Sequence, residues 1–245
     1  MLARVAFILG ALLGAPASAA DCARTDFDGA PISWCRVDLE RQELRLWLND
    51  ESGAPFGSFF SLDRALQAEG KRLGVAMNGG MYHEDRSPVG HFIEDGEEKM
   101  RVITSDGPGN FGLLPNGVLC IQEDRAAILE SRRYADEQPD CRFATQSGPM
   151  LVIDGALHPR FLKDSSSLNY RNGVGISADG REAVLAISDV PVNFHHFARF
   201  FRDHAGTPDA LFLDGSVSKL HAPALGRSDV GRMMGPILGT VQPAD

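Results

Sequence analysis

Asn78 and Asp214 each follow a short apolar run and precede glycine, in Met77-Asn78-Gly79-Gly80 and Leu213-Asp214-Gly215. An Asx-Gly pair is first of all a turn that tolerates a left-handed backbone. Two at matching places, each closing a buried strand, point instead to polar groups that a sheet delivers to one site. Asp214 would supply one carboxylate able to work as acid, base or nucleophile, and Asn78 an amide beside Gly79 and Gly80. His83, Glu84 and Asp85 follow the first turn directly, where a solvated loop is the plainer reading. Asp189 closes the run Ala183 to Ser188, where it would equally serve as the N-terminal cap of the next helix. Glu84 or Asp189 would supply the second of two carboxylates able to work as acid, base or nucleophile, a set that by itself singles out no one reaction. Arg171, ahead of Asn172-Gly173-Val174-Gly175, offers a guanidinium for bidentate phosphate binding, although a surface ion pair is its commoner use. Asn110 after Gly107-Pro108-Gly109, Gln146 and Ser147 ahead of Gly148-Pro149, and Ser218 beyond Asp214-Gly215 add candidate binding groups.

The elements that must position these groups follow from periodicity and punctuation. A helix capped by Ser61 and stopped at Gly70 leads into the strand Leu73 to Met77 and then Asn78-Gly79. The same order returns in a longer amphipathic helix from Val192 to His204, Gly206, the strand Ala210 to Leu213, and Asp214-Gly215. Between and around them lie short apolar or alternating runs joined by Asp-Gly and Asn-Gly turns. They include Trp34 to Leu48 around a turn at Glu40, His91 to Thr104 around Asp95-Gly96, and Phe111 to Gln122 around Asn116-Gly117. Ala126 to Glu130, Met150 to Leu157 and Val174 to Ser188 follow. Arg132 to Asp140, polar and carrying Pro139, reads as a loop, and so does the tail from Ser228. The pattern is that of an α+β fold: one domain over residues 21–245 with a mixed central sheet, many hairpins and two main helices.

Residues 1–20 read as a secretory signal peptide. A basic start at Arg4 precedes the apolar run Val5 to Leu13 and a small-residue cleavage site at Ala17-Ser18-Ala19, and the run is too short to span a membrane. The expected location is therefore periplasmic or secreted. Four cysteines in an oxidising compartment allow three pairings, of which sequence proximity favours Cys22–Cys35 with Cys120–Cys141; buried free thiols are the alternative. A formal charge of -9 with no basic run argues against nucleic acid and anionic membranes as partners. No histidine or cysteine spacing suggests a metal, and no cofactor is expected. Gly-x-Ser-x-Gly and His-Glu-x-x-His motifs are absent, and Gly107 to Gly112 matches Gly-x-Gly-x-x-Gly without the strand and helix a dinucleotide site needs. An esterase using Ser147 or Ser218 would lack its elbow.

Six segments in order resemble the phosphodiester glycosidase family, the bacterial relatives of the enzyme that uncovers mannose 6-phosphate. They are Met77 to Tyr82, Ser87 to Gly90, Gly109 to Gly112, Gln146 to Leu151, Arg171 to Gly175 and Leu211 to Gly215. The resemblance covers roughly residues 70 to 222. It implies hydrolysis of the bond between a sugar's anomeric carbon and a phosphodiester oxygen, with a sugar phosphodiester or phosphoglycan of the cell envelope as substrate. On this footing Asn78, Arg171 and Asp214 carry over as site residues, with Arg171, Asn78 and the amides around Gly79 and Gly80 on the phosphate and Asp214 as nucleophile or base. Many members continue with glycines and then serines after this Asp-Gly, whereas this chain has Ser216-Val217-Ser218. A non-catalytic envelope protein that binds glycan or phosphoglycan through the same cleft is the alternative.

Overall fold

Many strands in this chain carry apolar side chains on both faces, which a sheet can shelter only if it is covered twice. In Glu182–Ser188, Ala183, Leu185 and Ile187 enter one buried cluster while Val184 and Ala186 enter another. In Gly117–Ile121, Leu119 and Ile121 share that first cluster while Val118 and Cys120 face a third. The alternation is the two-residue period of a strand. The computed structural model describes residues 20–215 and 217–244. The expected leader, but for Ala20, lies outside these residues, as does Ser216.

Among the described residues there are three sheets. The first runs Asp21–Phe27, Ala30–Asp38, Glu182–Ser188, Asn172–Ile176, Asp209–Phe212, Met150–Ile153, Ala156–Leu157. The second runs Arg227–Ser228, Leu220–Ala222, Lys71–Asn78, Ile237–Pro243, Leu44–Trp47. The third runs Glu97–Met100, Phe92–Glu94, Phe143–Ser147, Gly117–Ile121, Ala126–Glu130. They enclose a shared core that takes Leu185 and Leu211 from the first, Met77 and Leu238 from the second, and Leu119 and Phe143 from the third.

Helices cover the outer faces. α1 (Phe59–Ala68) lays Phe59, Leu62 and Leu66 on Trp47, Leu73 and Ile237. α2 (Ser131–Glu137) sets Tyr134 against Val118 and Cys120. α3 (Phe194–Arg199) and its π-helical continuation Phe200–Ala205 bury Phe197, Phe200 and Phe201 on the first sheet. Each such ring contributes roughly 1.5–3 kcal/mol by leaving water. No helix among the described residues is long and apolar enough to cross a membrane.

The α+β class and the single domain hold, but the sheets differ from expectation. Every strand pairing among the described residues is antiparallel, so the central sheet is not mixed. The runs either side of Glu40 are strands, yet they belong to different sheets. Ser58, not Ser61, caps α1, its hydroxyl accepting the Ser61 N–H at 3.1 Å. Phe111 to Leu114 is no strand; Gly117–Ile121 pairs with Ala126–Glu130 and Phe143–Ser147 instead. α2 stands where a loop was expected, making three helices rather than two. The Glu130 carboxylate accepts from the N–H groups of Arg132 and Arg133, and Gln138 ends the helix at φ 47°, so Pro139 follows the stop rather than forbidding the helix. The tail is not a loop either, because Ile237–Pro243 pairs with both Lys71–Asn78 and Leu44–Trp47.

Both disulfides pair as proximity favoured, Cys22–Cys35 and Cys120–Cys141. The first joins facing residues of two adjacent strands, and the second fastens the segment after α2 to Gly117–Ile121. Each closes a short loop, for which about 3 kcal/mol is the chain-entropy expectation.

Candidate active site

The repeated helix–glycine–strand order brings its two ends together. Gly70 at φ 71° and Gly206 at φ 72° stop their helices in the left-handed region that favours glycine, and each releases the chain into a strand. The strands belong to different sheets, and Asn172 bridges them. Its Nδ2 donates to Asn78 Oδ1 at 2.6 Å, and its Oδ1 accepts the Asp214 N–H at 3.1 Å. Asn78 Oδ1 also accepts the Lys219 N–H at 3.0 Å. Asn78 and Asn172 are fully buried and Asp214 nearly so, which makes the amide pair a buried brace behind a carboxylate. An amide is required at 172 because the site needs one donor and one acceptor. Asn172→Ala leaves Asn78 Oδ1 one donor short and the Asp214 N–H without its acceptor. It should cost about 2–3 kcal/mol, read as a fall in unfolding midpoint by calorimetry, and turnover should fall with it.

Asp214 faces a hollow of roughly 670 Å³ that Tyr82, His83, Glu84, Arg86, Arg232 and Met233 also line. Burial first, and then the charge of Asp214, push the Tyr82 phenol up to about 12, with Arg86 and Arg232 opposing. The phenol therefore remains a hydrogen-bond donor, directed to Met233 O at 3.3 Å. His83 and Glu84 stand exposed on a loop closed by the His83 N–H to Ser87 O bond at 2.8 Å. Asp85 turns back to accept from the Ser87 N–H and hydroxyl. Asn110 is exposed, and its Nδ2 lies 3.8 Å from the position a Cβ on Gly215 would take, beside Asp214. The structure thus gathers Asp214, Glu84 and His83 at one hollow, with Asn78 behind it, while Asn110 lies beside Gly215 and does not line the hollow.

Other expected groups are engaged elsewhere. The Gly79 N–H donates to Pro236 O at 2.6 Å and the Gly80 N–H to Thr145 Oγ1 at 3.2 Å, so neither amide faces a ligand. These glycines answer to crowding: a Cβ on Gly80 would meet Gln146 O at 2.5 Å. Gln146 is buried, with its Oε1 accepting from the N–H groups of His91 and Ile103 and its Nε2 donating to Ile103 O and Ser131 Oγ. Ser147 is buried and donates to Leu213 O, bracing the strand before Asp214. Ser218 shares its hydroxyl between Tyr170 O and Asp214 O.

Arg171 is a correction of larger consequence. It is 1% exposed and lines neither the hollow nor the cleft beside it. Its Nε donates to Val192 O at 2.8 Å and Nη2 to Ser167 O at 2.9 Å, and its carbon centre sits 3.5 Å above the Phe194 ring. Burial lowers its pKa to about 10. The fork that was to hold a phosphate clasps the protein's own carbonyls. Asp189 is likewise an anchor: it accepts from Arg24 Nε at 2.8 Å, Arg227 Nη1 at 2.6 Å and Ser33 Oγ at 3.0 Å, and it faces the neighbouring cleft rather than the hollow.

Sequence reasoning passed over Asn172, Tyr82, Lys219 and Arg232. Asn172 and Tyr82 both lie in segments that carry the family resemblance, which assigned neither a role. Arg232 lies in the tail that read as a loop. Lys219 is 5% exposed and donates to Arg232 O; burial lowers its pKa, with Asp229 opposing.

Residues 71–222, more than half of the chain, match the family model described as phosphodiester glycosidase. The chain belongs to the phosphodiester glycosidase family. Asn78, Asn172 and Asp214 lie inside the span of this phosphodiester glycosidase match, whereas Arg24, Arg227 and Arg232 lie outside it. The uncharacterized protein YigE of Escherichia coli (strain K12) is 31% identical over 204 residues, covering 83% of this chain and 79% of that protein. Among solved structures, the chain is similar to the catalytic domain of zebrafish N-acetylglucosamine-1-phosphodiester alpha-N-acetylglucosaminidase, auto-inhibited by its pro-peptide. The TM-score is 0.62 at 15% identity, over 90% of this chain and 81% of that one. A putative exported protein from Burkholderia pseudomallei K96243 aligns with a TM-score of 0.58 at 12% identity, over 86% of this chain and 74% of that one. At these identities the two structures speak for a shared fold.

Proposed function

We propose that this chain is an exported hydrolase that cleaves the bond between a sugar's anomeric carbon and a phosphodiester oxygen, on a glycan of the cell envelope. The observation that carries the reading is the brace Asn78–Asn172–Asp214: two strands of the family-matched span converge to present one carboxylate at a hollow. Asp214 serves as nucleophile or base and Glu84, across the same hollow, as the second carboxylate. Water adds its oxygen to the anomeric carbon as the carbon–oxygen bond to phosphorus breaks, and a phosphomonoester departs with the electron pair. Phosphate is a good leaving group, so the demand on a general acid is small. What the hollow must supply is charge complementary to the oxocarbenium-like sugar, which Asp214 offers, and to the departing phosphate, which Arg232 offers. The two disulfides fit an exported chain.

The test is release of free sugar from N-acetylglucosamine 1-(methyl phosphate) and from other sugar 1-phosphodiesters by the purified, folded protein. Turnover on at least one is expected. Retention of such a ligand with no turnover on any of them would make the chain a binding protein instead.

A further inference from the structure

The Asp214 hollow adjoins a larger cleft of roughly 1000 Å³, and Val217 and Arg232 line both. The chain as a whole has a formal charge of -9. This cleft nonetheless holds four basic side chains, Arg24, Lys219, Arg227 and Arg232, against two carboxylates, Asp189 and Asp229, an excess of two basic groups. Arg227 grips both carboxylates, at 2.6 Å and 2.9 Å. Arg24 pairs with Asp189 at 2.8 Å. Arg232 makes no ion pair among the described residues, and its side chain stands exposed at the boundary of the two concavities. Leu168, Tyr170 and Val230, at 56%, 54% and 90% exposure, border the same cleft, so an apolar surface lies beyond the charges. Arg24, Arg227 and Arg232 fall outside the family-matched residues 71–222, so three of the four basic groups come from segments flanking that match.

We infer that this cleft receives the leaving group and that the chain selects sugar 1-diphosphate esters. The first phosphate sits at the boundary by Arg232, the second lies against the cleft's basic side chains, and an apolar or ring-bearing tail lies along Leu168, Tyr170 and Val230. The inference rests on the glycosidase reading above. The reaction is the same displacement with a different leaving group: water's oxygen joins the anomeric carbon, and the diphosphate leaves with the electron pair of the broken carbon–oxygen bond. The water proton passes to a carboxylate of the hollow and on to solvent. A phosphodiester brings one negative charge to the cleft's excess of two basic groups, and a diphosphate ester brings two.

Two measurements on the full chain test this. Calorimetric titration compares inorganic pyrophosphate with inorganic phosphate. Initial rates compare N-acetylglucosamine linked to methyl phosphate, to uridine diphosphate and to farnesyl diphosphate. Pyrophosphate should bind at least about tenfold more tightly, which corresponds to about 1.4 kcal/mol, and the diphosphate esters should exceed the methyl ester at least about tenfold in kcat/KM. Arg24→Gln, by the second phosphate, should collapse both ratios toward one, with Arg227→Gln as the second variant and a thermal melt as the folding control, whereas Arg232→Gln, by the first phosphate, should slow every ester alike. The uridine and farnesyl arms separate a nucleoside tail from a lipid one. Turnover of the methyl ester without a diphosphate preference overturns the inference and leaves the glycosidase reading standing. Pyrophosphate preference without turnover of any ester supports the subsite and counts against the glycosidase reading. Equal binding of the two anions overturns the subsite.

Discussion

Asp214→Asn is expected to lower sugar release by about 10²–10⁴-fold, the range a single acid–base or nucleophilic carboxylate commands. The substitution is nearly isosteric. It keeps the backbone N–H that donates to Asn172 Oδ1, so the brace between the two strands persists. The unfolding midpoint should therefore move by no more than about 2–4 °C, the shift that about 1 kcal/mol produces in a chain of this length. Affinity for a substrate-like phosphodiester should persist within about tenfold, a difference of about 1.4 kcal/mol. Rate assays beside calorimetry and equilibrium titration measure the three quantities on one preparation. Turnover at the wild-type rate would remove Asp214 from the chemistry. A collapse of the melt would show that its role is structural.

Arg171→Ala should act on the opposite quantity. The guanidinium ties the serine-rich loop, through Ser167 O, to the entry of α3, through Val192 O, and it packs on Phe194. Asn193 reaches the same loop through Lys163 O and Ser165 O. Two hydrogen bonds to a charged group contribute about 1.5–3 kcal/mol each, and relief of the burial that lowers the Arg171 pKa offsets part of that. A net loss of about 3 kcal/mol, or about 6–12 °C in the midpoint, is expected. Limited proteolysis should cut residues 163–168 first in the variant. Arg171→Lys should recover little, because an ammonium cannot span two carbonyls in the plane of a ring. An unchanged melt with lost turnover would return Arg171 to the role that the family resemblance assigned it.

Much of this architecture was readable from the chain because buried strands and helix stops leave local marks. Gly70 and Gly206 announced the two helix ends, and the apolar runs after them announced the two strands. What those marks lack is information on partners. Asn78 and Asp214 looked like equivalent contributors to a site, yet Asn172, on the strand paired with Asp209–Phe212, determines that one is a brace and the other faces the hollow. Arg171 read as a phosphate ligand because an arginine beside asparagine and glycine carries no sign of the carbonyls that will surround it. α2 was missed because its cap, Glu130, belongs to the preceding strand, so no separate start signal exists. The tail was missed because Gly235-Pro236 suggested a loop, and nothing local reveals that the next seven residues fill a gap between two distant strands.

That gap sets a timetable. Ile237–Pro243 lies between Lys71–Asn78 and Leu44–Trp47, with Ile237 opposite both Asn78 and Trp47. During synthesis the early strands emerge long before their central neighbour exists, and pairings so far apart in sequence form slowly. The Gly79 N–H has no Pro236 carbonyl to meet until then. The sheet beside the hollow therefore closes only when a strand far along the chain from both its neighbours arrives between them.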